Sequence, residues 1–325
     1  MAATLVSLMF GGCGSVNFTG ISYEHADRYT AGDATFTGEI TALEVEWMAG
    51  SVLLSAGETA ETTVAETANR ELTEEIRVHT WLDGSTLHVK FAASDLHGVL
   101  FDLEKSLTVV LPQETDLLDL QISCASASLT VDAVSAEKIV LDSASGSVKM
   151  NGLTADTLSV DTASGAVSGS ADVKKSADVK TASGSIRLDL QAENAENVRL
   201  ETTSGAIETT VNGKTEAFSA ETSSGKINAV LAEKVERLKA ESASGRITLD
   251  LYDVSSADVS AASGDVTLIL PADTAFTADV DTASGRFSCE FAVTMEKKDR
   301  YVCGAGTAKL DLKTASGDIS IQKAR

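Results

Sequence analysis

Aromatic side chains are scarce in this chain: Phe, Trp and Tyr make up 5% of its 325 residues, and there are two prolines. A thick core of large rings is therefore excluded, and close stacking of small residues has to take its place. Cations are also few, with 26 Lys and Arg against 48 Asp and Glu and a formal net charge of −22. This balance excludes nucleic acid as a partner, because that affinity rests on cations neutralising phosphates. It also disfavours electrostatic docking on anionic lipid. No apolar run reaches the roughly 20 residues that a spanning helix requires. The four cysteines form no Cys-x-x-Cys pair, so a zinc or dithiol signature is missing. The repeated serines lack the Gly-x-Ser-x-Gly frame of a nucleophile elbow, and "NGKT" (212–215) lacks the first glycine of a phosphate loop, with Glu208 in its place. His25, His79, His88 and His97 are too scattered to read as a metal set. No catalytic residue, metal ligand or cofactor site is predicted.

What is present is repetition. The pentapeptide "DTASG" (161–165) returns as "KTASG", "ETTSG", "ETSSG" and "ESASG", ending in Gly146, Gly165, Gly184, Gly205, Gly225, Gly245, Gly264, Gly285 and Gly317. Most intervals are 19 to 21 residues, and a degenerate copy places Ala127 in the glycine slot. Two residues after each glycine the column is apolar (Ile186, Ile207, Ile227, Ile247), as is the column five before it (Val179, Leu200, Ala220, Ala240). Apolar and polar positions alternate with period two on both sides of the glycine, the mark of strands with one buried face. A unit this short cannot bury its own apolar face, but stacked on like neighbours it can.

These columns predict an all-β, parallel β-helix of about ten coils, right-handed by the crossover rule. The Ser-Gly corner is expected to use glycine for positive φ and serine hydroxyls for local backbone bonds. The predicted organisation is a signal segment (1–13), a linker (14–35), a less regular β region with a hairpin at Asp83-Gly84 (36–115), and the repeat helix (116–325). The long interval before Gly317 reads as a loop insertion at about 289–303.

Three chemical features remain. Ala2–Phe10, Gly11 and Gly12 lead into Cys13 as in a bacterial lipobox, so Cys13 is the expected lipidation site and sole membrane attachment; a cleaved signal without lipid and a buried strand are the other readings. Cys289 and Cys303 flank the insertion and are the candidate disulfide in an oxidising compartment, whereas Cys124 falls in a strand and is expected to be buried. Four residues before successive glycines, Glu201, Glu221 and Glu241 face outward one strand apart, a candidate cation or ligand row.

The ordered set of an apolar coil around Gly50, a D-G-x-x-L-x-V strand, "LTVVLP" (106–112 with its leading Ser) and serial T-A-S-G-x-I repeats resembles a family of bacterial surface domains called putative adhesins. The resemblance implies a β-helical fold and an exported location; the leading expectation for function is a non-enzymatic surface protein that binds a surface, glycan or envelope-protein ligand. The second reading is an envelope-stress accessory that binds membrane partners or cationic peptides. The third is a glycan-active β-helix enzyme.

Overall fold

The computed structural model describes residues 21–96 and 103–324. It is built from strands, with single 3-10 turns at Ala26–Arg28 and Glu74–Ile76. Cys13 and His97 lie outside the described residues. The chain divides into two compact units after Gly146.

In the second unit each coil sends one strand into the corner and another out of it. The outgoing strands stack in parallel and in register, so that Ile186 faces Ile207, Ile207 faces Ile227, Ile227 faces Ile247, and Ile247 faces Val266. All five are fully buried. The incoming strands do the same with Leu200, Ala220, Ala240 and Val259. Alternation supplies this pattern, because every second side chain of a strand points to the same face. Each buried isoleucine removes enough apolar surface to contribute roughly 2 kcal/mol. The fold is a parallel β-helix.

The corner works differently from the sequence-based expectation. None of the corner glycines has positive φ. Glycine is required by close approach: a Cβ on Gly225 would lie 1.7 Å from the carbonyl oxygen of Gly205, and one on Gly245 the same distance from Gly225. Nor does the corner serine hold the turn. In most coils the Thr or Ser three residues before the glycine does, accepting the glycine N–H and, as in Thr202, Thr222 and Ser242, donating its hydroxyl to the glycine carbonyl of the neighbouring coil; the corner of Gly264 has Ala261 there. For Thr202 these bonds are 3.0 Å to Gly205 and 2.9 Å to Gly184; for Thr222 they are 3.1 Å to Gly225 and 3.2 Å to Gly205. One hydroxyl thus satisfies two buried backbone groups, which would be costly to leave unpaired.

Chain order and stacking order part company in the last coils. The final coil, strands Ala308–Thr314 and Ile319–Lys323, lies between the coil of Gly264 and that of Gly285. Ser260 faces Lys313, and Lys313 in turn faces Asp281. The segment read as a loop is an antiparallel hairpin, Thr294–Lys297 with Arg300–Cys303, and its second strand pairs with Phe276–Thr282. The outer coil therefore carries its own covering strand, the standard remedy for an open sheet edge.

The first unit repeats this arrangement. Ala42–Trp47 lies between Thr86–Lys90 and Asp116–Cys124, and Gly50–Gly57 lies between Lys105–Pro112 and Ser128–Asp132. Here the coil later in sequence is outermost, the reverse of the second unit, where the earlier coil is. The edges of this later coil are covered by antiparallel strands from its own connection: Thr62–Ala68 pairs with Lys105–Pro112, and His79–Asp83 forms the predicted hairpin with Thr86–Lys90. Gly84 takes the turn with φ 61°.

Candidate functional site

Along the incoming strands of the second unit two outward columns stand side by side. Glu201 faces Glu221, and Glu221 faces Glu241, as predicted. They line a shallow trough of about 530 Å³ together with corner residues such as Thr203 and Ser223. The structure also supplies each with a cation or hydroxyl. Arg199 reaches Glu201 at 2.8 Å, Ser219 donates to Glu221 at 3.1 Å, and Lys239 bridges Glu221 at 3.1 Å and Glu241 at 3.0 Å. Burial pushes the Glu221 carboxyl up, but Lys239 and Ser219 outweigh it and hold the group below the usual carboxylate range. The repulsion expected of three stacked carboxylates is relieved from the column two residues earlier in each strand.

The same device recurs with its sign reversed. Lys180 pairs with Asp178 at 2.7 Å and Lys313 with Asp311 at 2.8 Å. The outgoing strands carry a second charged row, in which Arg187 and Lys226 both hold Glu208, and Arg246 reaches Asp265 at 3.1 Å. Both partners keep Glu208 well below its ordinary pKa, Lys226 most strongly. These faces are fixed lattices of hydroxyls and paired charges with one row per strand spacing, about 4.8 Å. Chemically they can form hydrogen bonds to an extended polar ligand.

The other sequence-derived sites are placed as follows. Cys289 and Cys303 are free thiols on strands that do not pair with each other; Phe287, two residues before Cys289, packs on Tyr301, two residues before Cys303, with ring centroids 4.5 Å apart. Burial, aided by the nearby Cys303, raises the Cys289 thiol pKa. Cys124 is buried, which pushes its thiol up to about 12. His79 and His88 are not brought together. His79 Nδ1 lies 2.9 Å from the Arg77 carbonyl oxygen, while His88 Nδ1 lies 2.9 Å from Glu44 Oε2. The His88 bond holds the Glu44 carboxyl below its usual range. Among the described residues no group of three or more His, Cys, Asp or Glu is arranged to hold a metal ion, and no helix is long and apolar enough to cross a membrane.

Two clusters escaped the sequence reading. Tyr23, Tyr29, Trp81 and His88 pack together, with Trp81 stacked on His88 at 5.3 Å, and tie residues 21–29 onto the first unit. In the second cluster Lys105, fully buried, donates to Ile76 O at 2.6 Å and Phe91 O at 2.5 Å, meets Glu66 Oε2 at 2.6 Å, and lies against the rings of Trp47 and Phe91. Burial pulls its ammonium pKa down, and Glu66 opposes that shift.

Among solved structures the chain is similar to a putative adhesin from Parabacteroides distasonis, at 10% identity and a TM-score of 0.46 over 91% of this chain and 97% of that one. It is also similar to a putative adhesin from Bacteroides fragilis, at 12% identity and a TM-score of 0.29, covering 89% and 95% of the two chains. A putative cell adhesion protein from Clostridium sporogenes matches at 8% identity and a TM-score of 0.19, covering 90% and 100%. Likenesses this distant do not extend to a ligand. No curated protein matches. The Toastrack model DUF4097 matches residues 40–257 and again 234–322, nearly the whole described solenoid. The chain belongs to the Toastrack family.

Proposed function

We propose that this protein is a non-enzymatic, extracytoplasmic binding scaffold of adhesin type, held at the membrane by lipid on Cys13. The observation that carries the reading is the outward lattice of the second unit. Exposed hydroxyl columns and internally neutralised charge rows repeat at strand spacing over successive coils, from Asp178–Lys180 to Asp311–Lys313. Such a surface is stiff before a ligand arrives, so little ordering entropy opposes binding to an extended partner. Two further assignments belong to this reading: the Glu201, Glu221, Glu241 trough as a contact row, and a Cys289–Cys303 disulfide that staples the covering hairpin, formed by exchange with a disulfide oxidant of the extracytoplasmic space that is itself reduced to the dithiol.

The test is a surface-binding assay with the purified full chain on immobilised mucin, matrix protein and cell-wall polysaccharide. Saturable binding to at least one supports the scaffold. Polysaccharide hydrolysis that survives purification and tracks the chain contradicts it. Replacing Cys13→Ser should release the protein from membranes; unchanged retention would refute the lipid anchor. A second reading draws on the charge of −22: the acidic surface captures cationic peptides at the envelope. It predicts binding that weakens steeply with salt, whereas the lattice reading predicts a shallow dependence.

A further inference from the structure

A second polar cleft, of about 480 Å³, opens where the ladder of the second unit is interrupted. Strand Ile247–Ala261 is paired to the next coil through Asp250 and to the final coil from Ser256 onward, but residues 251–255 have no strand on that side. The neighbouring chain turns away at Pro271, which has no N–H to offer a ladder, and returns to strand at Phe276. The opening is thus a product of the fold.

Tyr252 stands in this opening with 63% of its surface exposed. The equivalent places, seven residues after the corner glycine, hold Asp172, Gln191, Asn212, Ala232 and Pro271, so the ring is particular to this coil. Around it the polar groups are nearly all acceptors. Lys234, across the ladder from Asp253 and also in the cleft wall, bonds to Glu236 at 2.8 Å and acts on Asp253 only through its charge, so among the described residues neither Asp253 nor Asp273 is held by a hydrogen bond or a close ion pair. The hydroxyl protons of Ser255 and Thr307 are already donated to Glu236 and to Ala275 O, which leaves their oxygens to accept.

An open aromatic face beside four acceptors selects a ligand with a C–H face to lay on the ring and many O–H or N–H donors around it. We propose that this cleft is a saccharide subsite that takes a neutral or amino sugar, with Tyr252 stacked on the pyranose face and Asp253 and Asp273 accepting from its hydroxyl or ammonium groups. With Lys234 committed to Glu236, the cleft keeps an excess of negative charge, which disfavours uronic and sialic acids. The cleft's size is that of a small-molecule site. This assignment rests on the scaffold reading and names one ligand class for it.

The experiment titrates the full chain with chitobiose (two free amines), maltose and digalacturonate by saturation-transfer NMR and calorimetry. Expected is the order chitobiose, maltose, digalacturonate, with Tyr252→Ala weakening the first two about tenfold. The double change Asp253→Asn, Asp273→Asn should erase the preference for chitobiose. Tyr252 is exposed, so its replacement leaves the strand core intact, and circular dichroism checks this. The subsite is overturned if none of the three binds at millimolar concentration, if digalacturonate binds best, if Tyr252→Ala changes nothing, or if only a cationic peptide occupies the cleft. Running Tyr252→Ala in the surface-binding assay separates the two readings. Undiminished adhesion sinks the subsite alone. Chitobiose binding by a chain that adheres to nothing sinks the scaffold alone.

Discussion

The outermost coil of each unit meets one topological problem with different chemistry. In both, a coil later or earlier in sequence is slipped inside its neighbour, and the displaced coil is covered by antiparallel strands from its own connection. In the first unit the covering strand Thr62–Ala68 is locked through the core, where Glu66 meets the fully buried Lys105 under Trp47 and Phe91. In the second the covering strand Arg300–Cys303 is locked from outside, by a two-pronged bond of Arg300 to Asp279 at 2.8 and 2.7 Å and by ring contacts. Topology alone does not prescribe the fastening. What it prescribes is that an edge be covered.

The contrast can be broken by substitution. The largest effect is expected from Glu66→Ala, which strands the Lys105 ammonium in the core and should lower the first unit's stability by about 3–5 kcal/mol; chemical denaturation followed by the fluorescence of Trp47 and Trp81 reads it. Gly225→Ala probes the regular stack of the second unit. Its new Cβ would press on the Gly205 carbonyl, and because backbone has to yield, the cost should be about 1–3 kcal/mol. Thr222→Val keeps the shape of the corner but orphans the Gly225 N–H and the Gly205 carbonyl, for about 1–2 kcal/mol, read by far-UV circular dichroism because both tryptophans lie in the first unit. The smallest change belongs to Arg300→Ala. Its pair with Asp279 is open to solvent, so its loss should cost the least of the four changes. Equal losses for Glu66→Ala and Arg300→Ala would show that the two fastenings do not differ in kind.

Much of the architecture was legible because alternation is a local signal. The Ile186-to-Val266 ladder follows directly from columns of apolar residues at fixed distance from a glycine. The corner mechanism was only half legible. A glycine needed for positive φ and one needed for contact with the coil beside it look alike in sequence, and the latch fell to Thr202 or Thr222 rather than to the exposed serine. The stacking order was hidden for the opposite reason. Val259, Val280 and Leu312 are interchangeable in an apolar column, so the columns suit any order. The connections decide it: the hairpin at 294–303 is long enough to carry the chain past the outer coil and back inside it.

Lys105 was readable and missed. It keeps step with Leu107, Val109 and Leu111, all buried, and Glu66 keeps step with Thr62 and Val64. A charged residue in the phase of the core calls for a partner in the same phase on a neighbouring strand. The acidic row was seen correctly as a row, but its neutralising column lay two residues away and was not read with it. Tyr252 was invisible, since only the interruption at Pro271 leaves its face open.

Inversion of chain order is the claim on which the comparison rests, and crosslinking tests it most directly. With Cys289 and Cys303 replaced by serine, Ser260→Cys and Lys313→Cys are introduced together, and Ser260→Cys with Asp281→Cys serves as the control. The account predicts efficient crosslinking of 260 to 313 under mild oxidation, because those residues face each other on adjacent strands, and none of 260 to 281, which the final coil separates. Crosslinking of 260 to 281 without 260 to 313 would mean that the coils stack in simple chain order, and would contradict it.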